Sequence, residues 1–502
     1  MHQKILIMDF EGRHGQEIAK IIRGFQVYCE IERSSPDNLA IEDENTAGLV
    51  IVGSAEGSSL EDELDSLLSK ADVPVLGICF DGGFNNKKAG KETAATPGLN
   101  SLKLNHPENS ILFEDAEKEF EVISSCDGIF ADLSHGFKAT SQGDNGESLS
   151  LEKDIFYLLG FYPELSGENG KKIIENYLFK LCGCTGDWSI DDYIEKQVSE
   201  IRKTVGEGGA LCALSGGVDS SVCAALAYRA VGSKLKCIFV DTGLMRKNEG
   251  DEVEEVFGKI LGGSFFRIDA QDRFLGKLNG VTDPEKKRKI IGEEFIRIFE
   301  EESGKFEGIE YLIQGTIYPD IIESGVGGSV VKSHHNVGGL PENIDFKGII
   351  EPLNMLFKTE VRELGRKLGL PDKLLNRQPF PGPGLGVRVI GGITKEKLEI
   401  LREADAIFRE ELSEIGLDKE LNQYFVVLTD IKSVGVRDGK RTYAYTAALR
   451  AVKTDDFMTA KWAKLPHDLL QKVSKRITDE VSGINRVVYD ITDKPPGTIE
   501  WE

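Results

Sequence analysis

Residues 209–244 read GALCALSGGVDSSVCAALAYRAVGSKLKCIFVDTGL. An apolar run meets a glycine pair, a helical pattern closes at Gly232, and a second apolar run follows. Strand, tight turn, helix, strand is a βαβ unit, so both strands must lie parallel in one sheet, joined by the helix. The turn then falls at the carboxyl end of a strand and at the amino end of a helix. Gly216 and Gly217 let the backbone turn sharply and approach a ligand closely. The N–H groups and dipole at the helix start, beginning at Val218, favour an anion. Ser215, Ser220 and Ser221 add hydroxyl donors, and Asp219 offers hard oxygens suited to Mg²⁺ carried by a nucleotide. The lysine of the G-x-x-x-x-G-K-[ST] loop is missing, so γ-phosphate transfer of that kind is not indicated.

The rest of the chain bounds the setting of this loop. At 502 residues it has material for two to four domains, and 40% hydrophobic with 29% charged residues is the composition of a globular protein. A formal net charge of −23 argues against nonspecific attraction to nucleic acid or anionic membranes, though a local pocket can still be basic. No apolar run reaches the roughly 18 residues of a membrane span. The opening MHQKILIMDF enters a strand directly without a signal-peptide pattern, so the chain reads as cytoplasmic. The eight cysteines are scattered and several sit in apolar runs, which predicts reduced, buried thiols.

Residues 1–185 alternate strand runs (KILIMDF, AGLVIVGS, VPVLGICF) with helical patterns (GQEIAKIIRGF, LEDELDSLLSKA). This predicts an α/β layer with a mostly parallel sheet. TSQGDNGES reads as an exposed turn, and ENGKKIIENYLFKLCG as a closing amphipathic helix. GSFFRIDA and IEYLIQGT extend the sheet of the βαβ unit. RQPFPGPGLGVRV is strong loop punctuation, and the helices and strands beyond it predict a small α+β block.

The string SGGVDSS resembles the pyrophosphate loop of the N-type ATP pyrophosphatases. FVDTGLMRKNEGD, DPEKKRKIIGEEF, QGTIYPDIIES, VKSHHNVGGLPE, RQPFPGPGLGVRV and YDITDKPPGTIEWE are together similar to the GMP synthase family, and the likeness covers nearly the whole chain. The resemblance implies amination of xanthosine 5′-monophosphate (XMP) to GMP. ATP would adenylate the C2 oxygen, AMP would leave, and ammonia would attack C2. It implies pyrophosphate on Ser215–Ser221, Mg²⁺ at Asp219, and Asp241 or its neighbours near the adenosine, a turn aspartate being the alternative. It implies XMP contacts from Arg288, Lys494 and Glu500. Lys332 lies in a glycine-rich stretch that could close over the adenylate, and Lys358 would face phosphate, with a surface helix lysine as the competing view. The pair His334–His335 has no third metal ligand in view.

The same family carries a class I glutamine amidotransferase domain, which releases ammonia with a cysteine, a histidine and a carboxylate. Cys79-Phe80 matches the nucleophile turn, but Asp81 and Gly83 depart from it. Where the family reads F-H-P-E, this chain reads Phe161-Tyr162-Pro163-Glu164, keeping the carboxylate and losing the imidazole. A neutral phenol with pKa ~10 is a poor base at pH 7, against roughly 6.5 for histidine. VGSAEGSS keeps only Gly53 of the oxyanion turn, and DFEGRHGQ departs from the usual first turn; His135 is the other histidine in a familiar motif.

The expected fold is α/β: two parallel-sheet α/β domains followed by a small α+β dimerisation domain. The boundaries are 1–187 (amidotransferase-like, degenerate), 188–380 (ATP pyrophosphatase) and 381–502 (dimerisation, contributing to the XMP pocket). The expected protein is a homodimeric ligase using ATP, Mg²⁺, XMP and ammonia, the ammonia free or supplied by a separate glutaminase partner. Two alternatives stay open: a paralogue acting on another purine nucleotide or nucleophile, and a non-catalytic nucleotide-binding regulator.

Overall fold

The computed structural model describes residues 3–10, 14–32, 45–53, 71–79, 100–106, 110–124, 136–144, 146, 148–324, 346–437, 439–454 and 459–502. The helix expected at 60–71 falls almost wholly outside the described residues. Phe80, Asp81, Gly83, His135, Lys332, His334 and His335 also lie outside them. Contacts divide the chain into two compact units, the first formed mainly by residues 1–192 and the second mainly by those from Tyr193 onward, with the cut inside the first turn of the helix at 190–205.

The first unit is built on β1 (Lys4–Asp9), α1 (His14–Gly24), β2 (Tyr28–Glu32), β3 (Thr46–Val52), β4 (Val75–Ile78), β5 (Asn100–Asn105), β6 (Glu119–Ser124), β7 (Lys138–Gly143), β8 (Ser148–Lys153), β9 (Phe156–Leu159) and α2 (Gly167–Asn176). Its sheet has nine strands in the order β2-β1-β3-β4-β9-β8-β7-β5-β6. The segment β2 to β9 is parallel, and β9 to β6 is antiparallel. The parallel strands read as continuous apolar runs because both faces are covered; Ile5, Leu6, Ile7 and Met8 are all buried. The antiparallel half was not legible as strands. EFEVIS alternates exposed and buried residues, which is a weak signal in a short segment. The stretch TSQGDNGES is mostly strand rather than turn, since β7 and β8 pair through Gln142 and Ser148 and leave only the tip between them. Helix α2 ends sooner than expected and continues as a wider turn over Tyr177–Leu181. That turn buries Tyr177, whose hydroxyl donates to both Leu49 O and Pro74 O at 2.8 Å. Gly48 makes the approach possible, because a Cβ there would lie 2.5 Å from Cys182 Sγ and 2.8 Å from Tyr177 Oη.

The second unit opens with α3 (Ile190–Val205), β10 (Gly209–Leu214), α4 (Val218–Val231), β11 (Leu235–Asp241), α5 (Glu249–Leu261), β12 (Phe265–Asp269), α6 (Gln271–Leu278), α7 (Pro284–Ser303), β13 (Ile309–Ile313), β14 (Gly348–Ile350) and α8 (Lys358–Lys367). Its five strands run in the order β12-β11-β10-β13-β14, every pair parallel. The order reverses at β10, between β11 and β13, and such switch points are where open α/β sheets bind ligands. Next come α9 (Lys395–Glu414), β15 (Gln423–Arg437), β16 (Lys440–Lys453), β17 (Lys461–Trp462), α10 (His467–Glu480) and β18 (Ile484–Tyr489). β15, β16 and β17 pair antiparallel, and β18 pairs parallel with β16. One apolar cluster runs from Leu211 and Ile238 through Leu385 and Val389 to Val426 and Val473, so both sheets share a core. The described cysteines are all free thiols, as expected. Among the described residues no helix is long and apolar enough to cross a membrane.

Removing the Tyr177 hydroxyl takes away the donor shared by Leu49 O and Pro74 O, of which Pro74 O still accepts from Leu49 N at 2.9 Å. Tyr177→Phe is expected to destabilise the first unit by about 1–2 kcal/mol, read as a lower urea midpoint at unchanged slope.

Candidate active site

The turn after β10 is tied by its own side chains. Ser215 Oγ and Ser220 Oγ lie 2.9 Å apart, Ser215 N–H donates to Ser220 Oγ at 3.2 Å, and Ser220 Oγ donates to Gly217 O at 3.2 Å. Gly216 has φ +78°, a conformation that side chains disfavour, and Gly217 caps α4 with extended backbone. The first amides of α4 therefore point out of the turn without partners inside the helix. Ser221 is fully buried and its Oγ has no hydrogen-bond partner among the described residues. Gly315, just after β13, backs the loop: a Cβ there would lie 2.9 Å from Asp219 C and 3.0 Å from Ser220 N.

Charge converges on the same place. Lys358, the first residue of α8, binds both oxygens of Asp219 at 2.6 and 2.5 Å. The lysine thus stands where a cation beside that carboxylate would stand. Arg377 reaches Gly216 O at 3.4 Å and pairs with Glu249 at 3.3 Å and Glu252 at 2.8 Å. Asp241 is committed to the scaffold: it accepts from Gly243 N at 3.0 Å and pairs with Arg267 at 2.6 Å.

The carboxyl-terminal tail returns to α7 in the same unit. Arg288 Nη2 donates to Glu502 O at 2.5 Å. Its neighbour Lys287, fully buried, pairs with the Glu502 carboxylate and donates to Val389 O at 2.7 Å. Burial pushes the Lys287 ammonium pKa down, and Glu502 opposes that shift. Glu500 is held by Arg388, also fully buried, through Nε at 3.1 Å and Nη2 at 2.7 Å. The Arg388 guanidinium lies 4.0 Å from the centre of the Phe425 ring. Lys494 pairs through its backbone with Ala460. A cavity of about 480 Å³ between Val488–Thr492 and Gly497–Trp501 has Glu500 in its wall but neither Arg288 nor Lys494. Sequence reasoning missed Lys287, Arg388, Glu502 and Gly315, whose roles follow only from contacts across long separations.

In the first unit the ends of β4 and β9 carry the other candidate residues. Cys79 is buried and has φ +42°, the strained backbone of a sharp turn after a strand. Tyr162 is buried and Glu164 follows it in a short helical turn. The His14 ring stacks on Tyr162 with centroids 3.9 Å apart and planes 14° apart, and His14 Nδ1 lies 2.6 Å from Glu164 Oε1. No sequence signal singled out His14, which lies 150 residues from Glu164. Among the described residues no cluster of three or more His, Cys, Asp or Glu could hold a metal ion.

A parallel sheet whose switch point carries a glycine turn, an anion-ready helix start and facing lysine and aspartate is the site of an α/β enzyme that handles nucleotide phosphates. The GMP synthase C terminal domain family matches residues 410–501. GMP synthase [glutamine-hydrolyzing] of Acetivibrio thermocellus is 51% identical over 100% of both chains. The enzymes of the same name from Ruminiclostridium cellulolyticum and Treponema denticola are 48% and 49% identical, over 100% of this chain and 100% and 97% of theirs. The chain belongs to the GMP synthase family, carbon–nitrogen ligases of the ATP pyrophosphatase type.

Two outcomes follow from this geometry. Gly315→Ala must displace the loop backbone, and the expected loss of ATP affinity is about tenfold, or ~1.4 kcal/mol, measured by calorimetric titration. Glu502→Ala strands a buried ammonium and should cost about 3–5 kcal/mol. Adding Lys287→Met to Glu502→Ala should recover much of that in thermal unfolding.

Proposed function

We propose that this chain makes GMP from XMP, adenylating the C2 oxygen with ATP and replacing AMP by ammonia, with pyrophosphate as the other product. The single observation that carries this reading is the turn Ser215–Gly217 with the buried, unpartnered hydroxyl of Ser221, set at the sheet's switch point in a GMP synthase family member. Ser215, Gly216, Gly217, Val218, Ser220 and Ser221 would hold the pyrophosphate by amides and hydroxyls. Asp219 would hold Mg²⁺, which when bound neutralises phosphate charge. Lys358 would then turn from Asp219 to phosphate, and the donor set suits both ions. Lys332 would contribute a second cation, and Asp241 would act near the adenosine by fixing the Gly243 turn. Arg288, Lys494 and Glu500 would contact XMP, with Arg388 holding the Glu500 carboxylate to receive purine N–H groups.

The boundaries proposed are those given by the sequence, 1–187, 188–380 and 381–502. The exposed apolar residues Ile431, Val434, Val436 and Tyr443 at the far end of the β15–β16 hairpin support a homodimer through this part of the chain. The protein is proposed to be cytoplasmic. The relatives carry glutamine hydrolysis in their names. Here the histidine position of the amidotransferase motif holds Tyr162, so the main nitrogen supply is proposed to be ammonia, free or from a partner glutaminase.

The test supplies ATP, Mg²⁺ and XMP with either ammonium or glutamine and quantifies AMP and GMP. Ammonium should support GMP formation at least ~10²-fold faster than glutamine, in line with loss of a general base. Equal rates would overturn the ammonia preference, and nucleotide binding without AMP release would favour a regulator. Asp219→Asn should lower the ammonium-supported kcat by ~10² or more.

A further inference from the structure

We infer that His14 has taken over the work of the missing imidazole, so that Cys79, His14 and Glu164 form a relocated glutamine-hydrolysing triad that sustains a residual amide hydrolysis. The inference goes beyond the ammonia reading, which concerns the main supply, and stands or falls separately from it.

The sheet order places the three residues together. Parallel strands β1, β3, β4 and β9 lie side by side, so their carboxyl ends form one edge. His14 follows β1, Cys79 directly follows β4, and Tyr162 and Glu164 follow β9. From β1 to β9 is three strand spacings, roughly 14 Å. The hydrogen bond from His14 Nδ1 to Glu164 Oε1 at 2.6 Å brings the segment after β1 to the segment after β9, and Cys79 directly follows β4, the parallel neighbour of β9. The imidazole is also placed against the old position. It lies face to face on the Tyr162 ring, displaced from the motif's histidine site by one stacking distance, 3.9 Å. The Glu164 side chain is 1% exposed, and its second oxygen has no hydrogen-bond partner among the described residues. A buried carboxylate aimed at an imidazole Nδ1 is the orienting contact that a histidine base needs, and it assigns Nε2 as the nitrogen that takes and returns a proton.

The step balances without another reagent. Cys79 Sγ attacks the carboxamide carbon of glutamine, and its proton passes to His14 Nε2. The C–N bond breaks as that proton goes to the leaving nitrogen, giving ammonia and a thioester on Cys79. Water then attacks the thioester, its proton passing to His14 and back to the thiolate, and glutamate leaves. The net change is glutamine and water to glutamate and ammonia.

The experiment measures glutamate release from glutamine by the full chain with ATP, Mg²⁺ and XMP. It is expressed as a ratio to ammonium-supported GMP formation in the same preparation, so a poorly folded variant lowers both terms. Cys79→Ala should abolish the wild-type ratio, and His14→Ala should lower it ~10²-fold or more. His14→Gln can still donate to Glu164 but cannot relay a proton, so it should fall as far as His14→Ala. Added imidazole should partly restore His14→Ala, and so should Tyr162→His placed on top of it. A ratio unchanged in His14→Gln would reduce His14 to a structural partner of Glu164 and overturn the proposal. A wild-type chain with no Cys79-dependent glutamate release would overturn it too, leaving the ammonia preference standing. Glutamine matching ammonium in the wild type, with the loss in His14→Gln, would uphold the triad and overturn that preference.

Discussion

The second unit depends on one close approach of main chain to main chain. Gln314-Gly315 follows β13, and Gly315 lies so near the loop that a Cβ on it would be 2.9 Å from the carbonyl carbon of Asp219 and 3.0 Å from the Ser220 nitrogen. This contact fixes the first turn of α4 against the switch point of the sheet. The first amides of α4 are thereby oriented by the fold itself. The serine hydroxyls of the turn are occupied with one another, which leaves the fully buried Ser221 as the hydroxyl held in reserve.

Around that loop the unit spends charge on position rather than on stability. Lys287 and Arg388 are fully buried cations, each matched to a carboxylate of the last three residues. Such pairs return little net free energy against an apolar replacement, because desolvation offsets the attraction. What they supply is registry: the tail can end in one place only, with the Glu500 carboxylate locked in a bidentate clamp. A terminal segment of this length would fray without such anchors. The Asp219–Lys358 pair is of another kind. Both partners are partly exposed, so water screens the pair and little stability rests on it.

The first unit sets a histidine, a tyrosine and a carboxylate against one another at the edge of its sheet. Tyr162 presents a flat, buried ring after β9. The His14 imidazole stacks on that ring and meets the Glu164 carboxylate. The strained backbone of Cys79 persists in the same edge of the sheet, a feature that costs folding energy and is retained where a turn must present a side chain.

Much of this protein could be read directly from its residues. The order of strands and helices from 190 to 320, the glycine turn and the family resemblance all rest on local pattern: apolar runs, glycine positions and helix starts carry their meaning within a few neighbours. The antiparallel half of the first sheet was hidden because half-exposed short strands alternate weakly, and the long strand β16 because its polar and apolar residues mix. The partners of Tyr177, the clamp of Arg388 on Glu500 and the meeting of His14 with Glu164 were closed to sequence entirely. Each joins residues more than a hundred positions apart, and only the folding of the sheet edges and the tail brings their atoms within reach. Local chemistry decided what the chain could bind; long-range closure decided which side chains stand beside it.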